Sequence, residues 1–210
     1  MLNRSTWLPG VIICLLGAAG FAAALLWHQQ WRPLPQLAGG DFITPRRELP
    51  AFSLIDHHGR PFMRADLQGH WSMLYFGYTH CPDLCPATLS ALAAMDKRLA
   101  SVDAALRPHV IFVSADVARD TPAQLATYVP YFEPSFLGVT AHTQADVETF
   151  AAELGIAVAI NHQPDGTYTV DHSSAILVVD PLGRMAAVLT GPFTAAALQS
   201  DYLAIVGAPT

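Results

Sequence analysis

The sequence predicts an α/β domain whose strands alternate with helices, standing behind a single apolar segment long enough to cross a membrane. Three observations carry this reading. Apolar, β-branched and aromatic runs at Trp71–Tyr78, His109–Ser114, Phe136–Val139 and Ala175–Val179 are short enough to be buried strands. Helix-start signals fall between them, at Pro86, Thr121 and Thr143. The segment Leu8–Trp27 contains no charged residue, and about 20 apolar residues suffice to span a bilayer as a helix.

Trp7 at one end of that segment, with Trp27 and Trp31 at the other, suits the two interfacial belts. A cleavage site at Ala22-Ala23-Ala24 is the rival reading, but Leu25-Leu26-Trp27 continues the apolar run past it. Residues 1–28 are therefore read as an uncleaved single-pass anchor, with Cys14 packed inside it. Residues 29–48 hold prolines and glycines without a sustained period and read as a linker; residues 49–210 are the folded domain. Arg4 before the span and Arg32 after it lean towards the N-terminus inside and the domain outside. A formal net charge of −6 with no lysine or arginine cluster argues against a nucleic-acid partner.

Within the domain, Ala51–Ile55 and Pro61–Met63 flank the turn Asp56-His57-His58-Gly59 and predict a β-hairpin with both histidines at the surface. After the first buried strand, Pro86 sits in the opening turn of a helix over Ala87–Ala100, where its missing N–H has no helical partner to lose. His109–Ser114 is the second strand. Thr121-Pro122-Ala123-Gln124 is a capping pattern that opens a helix to Phe132. A strand at Phe136–Val139 and a helix from Thr143 to Leu154 follow. Ile156–Ile160 and Tyr168–Val170 pair around Pro164-Asp165-Gly166 as an inserted hairpin. Ala175–Val179 turns at Asp180-Pro181-Leu182-Gly183 into Arg184–Thr190, and a helix over Thr194–Ile205 closes the domain. This order implies a mostly parallel sheet with an antiparallel edge pair. It is the thioredoxin-like plan, with one extra hairpin at its N-terminus and another inserted.

The first buried strand delivers two thiols, Cys81 and Cys85, to the start of a helix, where free N–H groups and the helix dipole favour a thiolate. Such a pair attacks a disulfide, attacks a peroxide, or holds a soft metal ion. Its spacing is C-x-x-x-C, one residue longer than the usual redox couple. His172 is the candidate third donor. It precedes Ala175–Val179, which the plan sets beside the cysteine-bearing strand. The loop Asp171-His172-Ser173-Ser174 also lacks the proline that thioredoxins place against their cysteines. Two thiolates and an imidazole suit Cu(I), or with a fourth ligand Zn(II) or Cu(II), and an exported domain favours copper. Around these, Asp83 is read as a helix cap or a charge beside Cu(II), and His80 as a tuner of Cys81 or a solvent-facing side chain. Phe76 and Tyr78 are assigned to the core, and His109, His142 and His162 to the surface.

Four motifs in order carry a resemblance. They are Phe76-Gly77-Tyr78-Thr79-His80-Cys81-Pro82-Asp83-Leu84-Cys85-Pro86, Ala118-Arg119-Asp120-Thr121-Pro122, Asp171-His172-Ser173-Ser174-Ala175-Ile176 and Asp180-Pro181-Leu182-Gly183-Arg184. Together they resemble the Sco/SenC family of copper chaperones for haem–copper cytochrome c oxidases, across the domain from about Leu49. The resemblance implies a thioredoxin-like domain in the periplasm, tethered to the bacterial inner membrane. It implies one copper ion, Cu(I) or Cu(II), on Cys81, Cys85 and His172. It implies delivery to the binuclear copper site of cytochrome c oxidase subunit II, with another copper chaperone as donor. The alternative is a thiol–disulfide oxidoreductase that uses Cys81 and Cys85 to keep the oxidase's copper-site cysteines reduced. A thiol peroxidase has only the two thiols in its favour. Val117, where the family commonly has proline, is a departure away from the ligand positions.

Overall fold

The computed structural model describes residues 34–209, together with residues 15, 17, 18, 20 and 21, which are helical. The anchor read over residues 1–28 therefore falls mostly outside the described residues, as does Cys14. Among the described residues no helix is long and apolar enough to cross a membrane. The chain divides between Pro35 and Gln36 into two units, and the second carries the fold that follows.

Its strands are β1 (Gly40–Glu48), β2 (Ser53–Asp56), β3 (Pro61–Met63), β4 (Ser72–Gly77), β5 (His109–Ser114), β6 (Leu137–Thr140), β7 (Val158–His162), β8 (Tyr168–His172), β9 (Ile176–Val179) and β10 (Arg184–Leu189). Its helices are α1 (Leu84–Arg98), α2 (Pro122–Phe132), α3 (Gln144–Glu153) and α4 (Ala195–Val206). Eight strands form one sheet in the order β1-β10-β9-β4-β5-β6-β2-β3, and β7 and β8 pair separately as the inserted hairpin. The thioredoxin-like α/β plan and both extra hairpins are present.

The sheet is not mostly parallel. Only β4–β5 and β5–β6 run parallel; β9, β10, β1, β2 and β3 all pair antiparallel. The reason lies in the connection. A parallel neighbour needs a crossover, usually a helix, but the chain enters β9 directly from the β7–β8 hairpin, at the carboxyl end of β4, and runs back down it. Nor do β9 and β10 form an edge. Residues 40–48, read above as linker, are β1, paired from Gly40↔Leu189 to Glu48↔Arg184. A bulge between Phe42 and Arg47 holds Pro45, which has no N–H to give a ladder. That bulge erased the alternation a strand would have shown.

Both faces of the central sheet are covered, which is why its strands are apolar throughout. Met73 and Tyr75 of β4, Phe112 of β5 and Ile176 and Val178 of β9 pack with α1, α2 and α4. The alternate residues Leu74, Phe76, Val113, Leu177 and Val179 pack with α3. The helix starts follow their caps: the hydroxyls of Thr121, Thr143 and Thr194 accept from the N–H groups of Gln124, Asp146 and Ala197. At Thr143 the box is reciprocal, the Asp146 carboxylate accepting the Thr143 N–H at 3.0 Å.

Candidate metal centre

β4 ends at Gly77, and the chain passes through Tyr78–Asp83 into α1 at the carboxyl end of the parallel strands. Cys81 lies in the loop and is half-buried, whereas Cys85 is already in the first turn of α1 and fully buried. Gly77 makes room for it: a Cβ there would meet the Cys85 Sγ at 2.8 Å. The Cys85 N–H donates to the Cys81 Sγ at 3.4 Å, so a free helix N–H does face a sulfur, as the sequence implied.

His172 is the last residue of β8, a strand position rather than the loop position expected. Because β9 pairs with β4 from Ile176↔Tyr75, the end of β8 lies above the cysteines. Its Nε2 stands 3.5 Å from the Cys85 Sγ, and the three donor atoms of Cys81, Cys85 and His172 lie within 4.8 Å of one another. Nδ1 is 3.1 Å from the Ser173 carbonyl oxygen, which can only accept, so Nδ1 carries the proton and Nε2 presents its lone pair to the sulfurs. Burial lowers the His172 pKa and keeps the ring neutral. Burial also pushes the Cys85 thiol up to about 12, against a hydrogen bond from the Tyr75 hydroxyl at 3.6 Å. At Cys85, then, the low dielectric outweighs the helix-end effect expected from the sequence, and a bare thiolate is disfavoured.

Three donors about 2.0–2.3 Å from one ion in a plane stand roughly 3.5–4 Å apart. The Cys85–His172 pair at 3.5 Å already meets that spacing, and the whole set lies within 4.8 Å, close to it. A cation would also supply the charge that a buried Cys85 thiolate lacks. An open hollow of about 410 Å³, lined by Tyr78, Cys81, Asp83, Leu84, Asp171 and His172, leads to it.

Several other expectations change. Tyr78 is half-buried, its ring edge-on to His172 at 5.7 Å, so it lines the site, whereas Phe76 is core. Asp83 occupies the N-cap position of α1, but its exposed side chain makes no capping bond. His80 is exposed and bonded to the Thr79 hydroxyl. His109, His142 and His162 are exposed, as expected. His57 is not: it is buried, and its Nδ1 accepts the Gly138 N–H at 3.0 Å, because β2 docks on β6. Tyr75 and Asp120 escaped the sequence reading. Buried Asp120 accepts from the Thr79 N–H at 3.0 Å, the Thr79 hydroxyl at 2.6 Å and the Ser114 hydroxyl at 2.8 Å. It thereby holds the backbone two residues before Cys81. The Ala118–Pro122 motif was the available signal.

The family model described as SCO1/SenC matches residues 43–206. The chain belongs to the SCO1/SenC family. The mouse protein SCO2 homolog, mitochondrial, is 35% identical over 192 residues, covering 83% of this chain and 71% of that one. Among solved SCO1/SenC structures, yeast Sco1 with copper bound superposes with a TM-score of 0.70 at 30% identity, over 78% of this chain and 91% of that one. BsSco, described as a member of the Sco family of cytochrome c oxidase assembly proteins, aligns at 21% identity with a TM-score of 0.62, over 80% of this chain and 99% of that one. That last likeness carries the fold alone.

Proposed function

We propose that this chain is a copper metallochaperone that carries one copper ion on Cys81, Cys85 and His172 and delivers it to the binuclear copper site of cytochrome c oxidase subunit II. The observation that carries this reading is the convergence of a neutral imidazole nitrogen and two sulfurs within 4.8 Å. Two thiolates and an imidazole are a soft donor set, and the copper in yeast Sco1 favours copper over zinc. Residues 1–28 anchor the protein in the bacterial inner membrane, and the folded body, beginning near Gln36 rather than Leu49, stands in the periplasm. A second copper chaperone loads it. Half-exposed Cys81 and the open hollow suit stepwise release, with Cys81 the sulfur an acceptor reaches first.

The second reading is a thiol–disulfide oxidoreductase acting on the oxidase's cysteines. It is favoured by the free thiols and the 3.4 Å approach of the Cys85 N–H to the Cys81 sulfur. It is disfavoured by the raised Cys85 pKa, since resolving a mixed disulfide needs a thiolate whereas a metal replaces the thiol proton. An anaerobic Cu(I) titration of the reduced full-length protein against a competing chelator separates the two. The copper reading expects one equivalent, weakened more than about tenfold in His172→Ala. Weak binding indifferent to His172, with disulfide reduction that needs only Cys81 and Cys85, would establish the oxidoreductase.

A further inference from the structure

The hairpin that carries His172 shares no ladder with the main sheet, so something else must hold it over the cysteines. Its Tyr168, at the far end of β8, donates its hydroxyl to the Asp116 carboxylate at 2.9 Å. The Arg119 guanidinium carbon lies over the Tyr168 ring, 4.1 Å from its centroid, and 5.7 Å from that of Tyr78. Its Nε donates to Asp116, while its Nη2 is buried with no hydrogen-bond partner among the described residues. Asp116 is buried and fixed in turn, with its own N–H on the Ser114 hydroxyl at 3.0 Å. The loop is also fastened to α3: Gln144 accepts the Val117 N–H at 3.1 Å and donates to the Ala115 carbonyl at 3.0 Å.

We infer that Arg119, braced by Asp116, is a positioning residue for His172: it pins Tyr168 and so holds the β7–β8 hairpin closed, with the imidazole over Cys81 and Cys85. The neighbouring Asp120 holds the cysteine loop through Thr79. One short loop therefore registers both halves of the donor set against each other. A planar guanidinium stacked on a ring is a stronger and more directional contact than an ammonium in its place. This role rests on the copper reading of the site.

Amide hydrogen exchange and Cu(I) competition on the full-length protein test it, the exchange being read without metal. In Arg119→Ala, and separately in Tyr168→Leu, which leaves the Arg119–Asp116 pair intact, amides of β7 and β8 should exchange roughly tenfold faster. Amides of β4 and β5 should be unchanged. Cu(I) affinity should fall roughly three- to tenfold in both variants, less than in His172→Ala. Arg119→Lys should behave as Arg119→Ala, because it keeps the charge and loses the face. Hairpin exchange unchanged in both variants would overturn the pin even with copper bound by the three residues. Faster hairpin exchange at unchanged Cu(I) affinity would overturn the link to His172, as would acceleration spread equally through β4 and β5. Binding indifferent to His172→Ala would instead sink the copper reading and this role with it.

Discussion

At Cys85 two tendencies of a cysteine oppose each other. The helix start offers N–H groups that favour a thiolate, while complete burial raises the thiol to about 12. Burial wins because the sulfur sits in the core beneath Gly77, where the missing side chain admits it. Gly77→Ala would set a Cβ 2.8 Å from that sulfur and 2.7 Å from the Phe112 ring. Overpacking of this kind should cost about 1–3 kcal/mol and weaken Cu(I) binding, read by urea unfolding and chelator competition; an unaltered affinity would show that the sulfur moves freely. The spacing and the loop sequence were enough to bring Cys81, Cys85 and His172 forward from the sequence. Asp120 stood in the Ala118–Pro122 motif, but neither its hold on Thr79 nor the bond from Tyr75 to Cys85 could be read there, because each is a tertiary contact that only the folded chain makes. His57 was misplaced for the same reason: its turn is exposed in any isolated hairpin and is buried only by docking on Gly138.

Among the elements, two turns share one design. Asp56-His57-His58-Gly59-Arg60 and Asp180-Pro181-Leu182-Gly183-Arg184 each place a buried carboxylate at the first position. Asp56 accepts the N–H groups of His58 and Arg60 and the Arg60 Nε, each at 2.9 Å. Asp180 accepts those of Leu182 and Arg184 at 3.0 Å and the Arg184 Nε at 2.9 Å. Gly59 and Gly183 take φ of 80° and 73°, a region costly for other residues. Asp180 also pairs with the nearly buried Arg46 of β1, at 3.1 Å. Burial alone would raise both carboxyls, but the arginine and backbone hydrogen bonds outweigh it and hold them below 3.8. Their stabilisation is therefore fully present above pH 3.8 and is lost as the pH falls through the lower folded-state value. Asp180→Asn should cost about 3 kcal/mol at neutral pH by stranding Arg46, and the difference from wild type in urea midpoint should shrink below pH 3.8. A pH-independent difference would contradict the charged pair. Turns, caps and central strands were readable in the sequence because their signals are local. The bulged β1 was not, since its proline and irregular register mimic a linker.

For the whole molecule, that strand decides where the folded body begins. β1 covers the outer edge of β10, and Asp201 of α4 fastens the chain before it by accepting the N–H groups of Ala38 at 2.7 Å and Gly39 at 3.0 Å. A chain beginning at Gln36 should melt cooperatively as a monomer. One beginning at Leu49, the boundary drawn from the sequence, should lose several degrees in Tm and self-associate through the bared edge of β10. Sedimentation and thermal melts check this, and equal behaviour of the two chains would show β1 to be dispensable. The direction of β9 was equally hidden from the sequence, because the pattern that marks a buried strand is the same for either orientation. Yet that direction is what brings the end of β8 over the cysteines and makes the histidine available to them.

X-ray absorption at the copper edge of the Cu(I)-loaded full-length protein addresses the donor set itself. Two sulfurs and one nitrogen, at about 2.0–2.3 Å, with the nitrogen lost in His172→Ala, are expected. Sulfur-only coordination in the wild-type protein would contradict a site built from Cys81, Cys85 and His172.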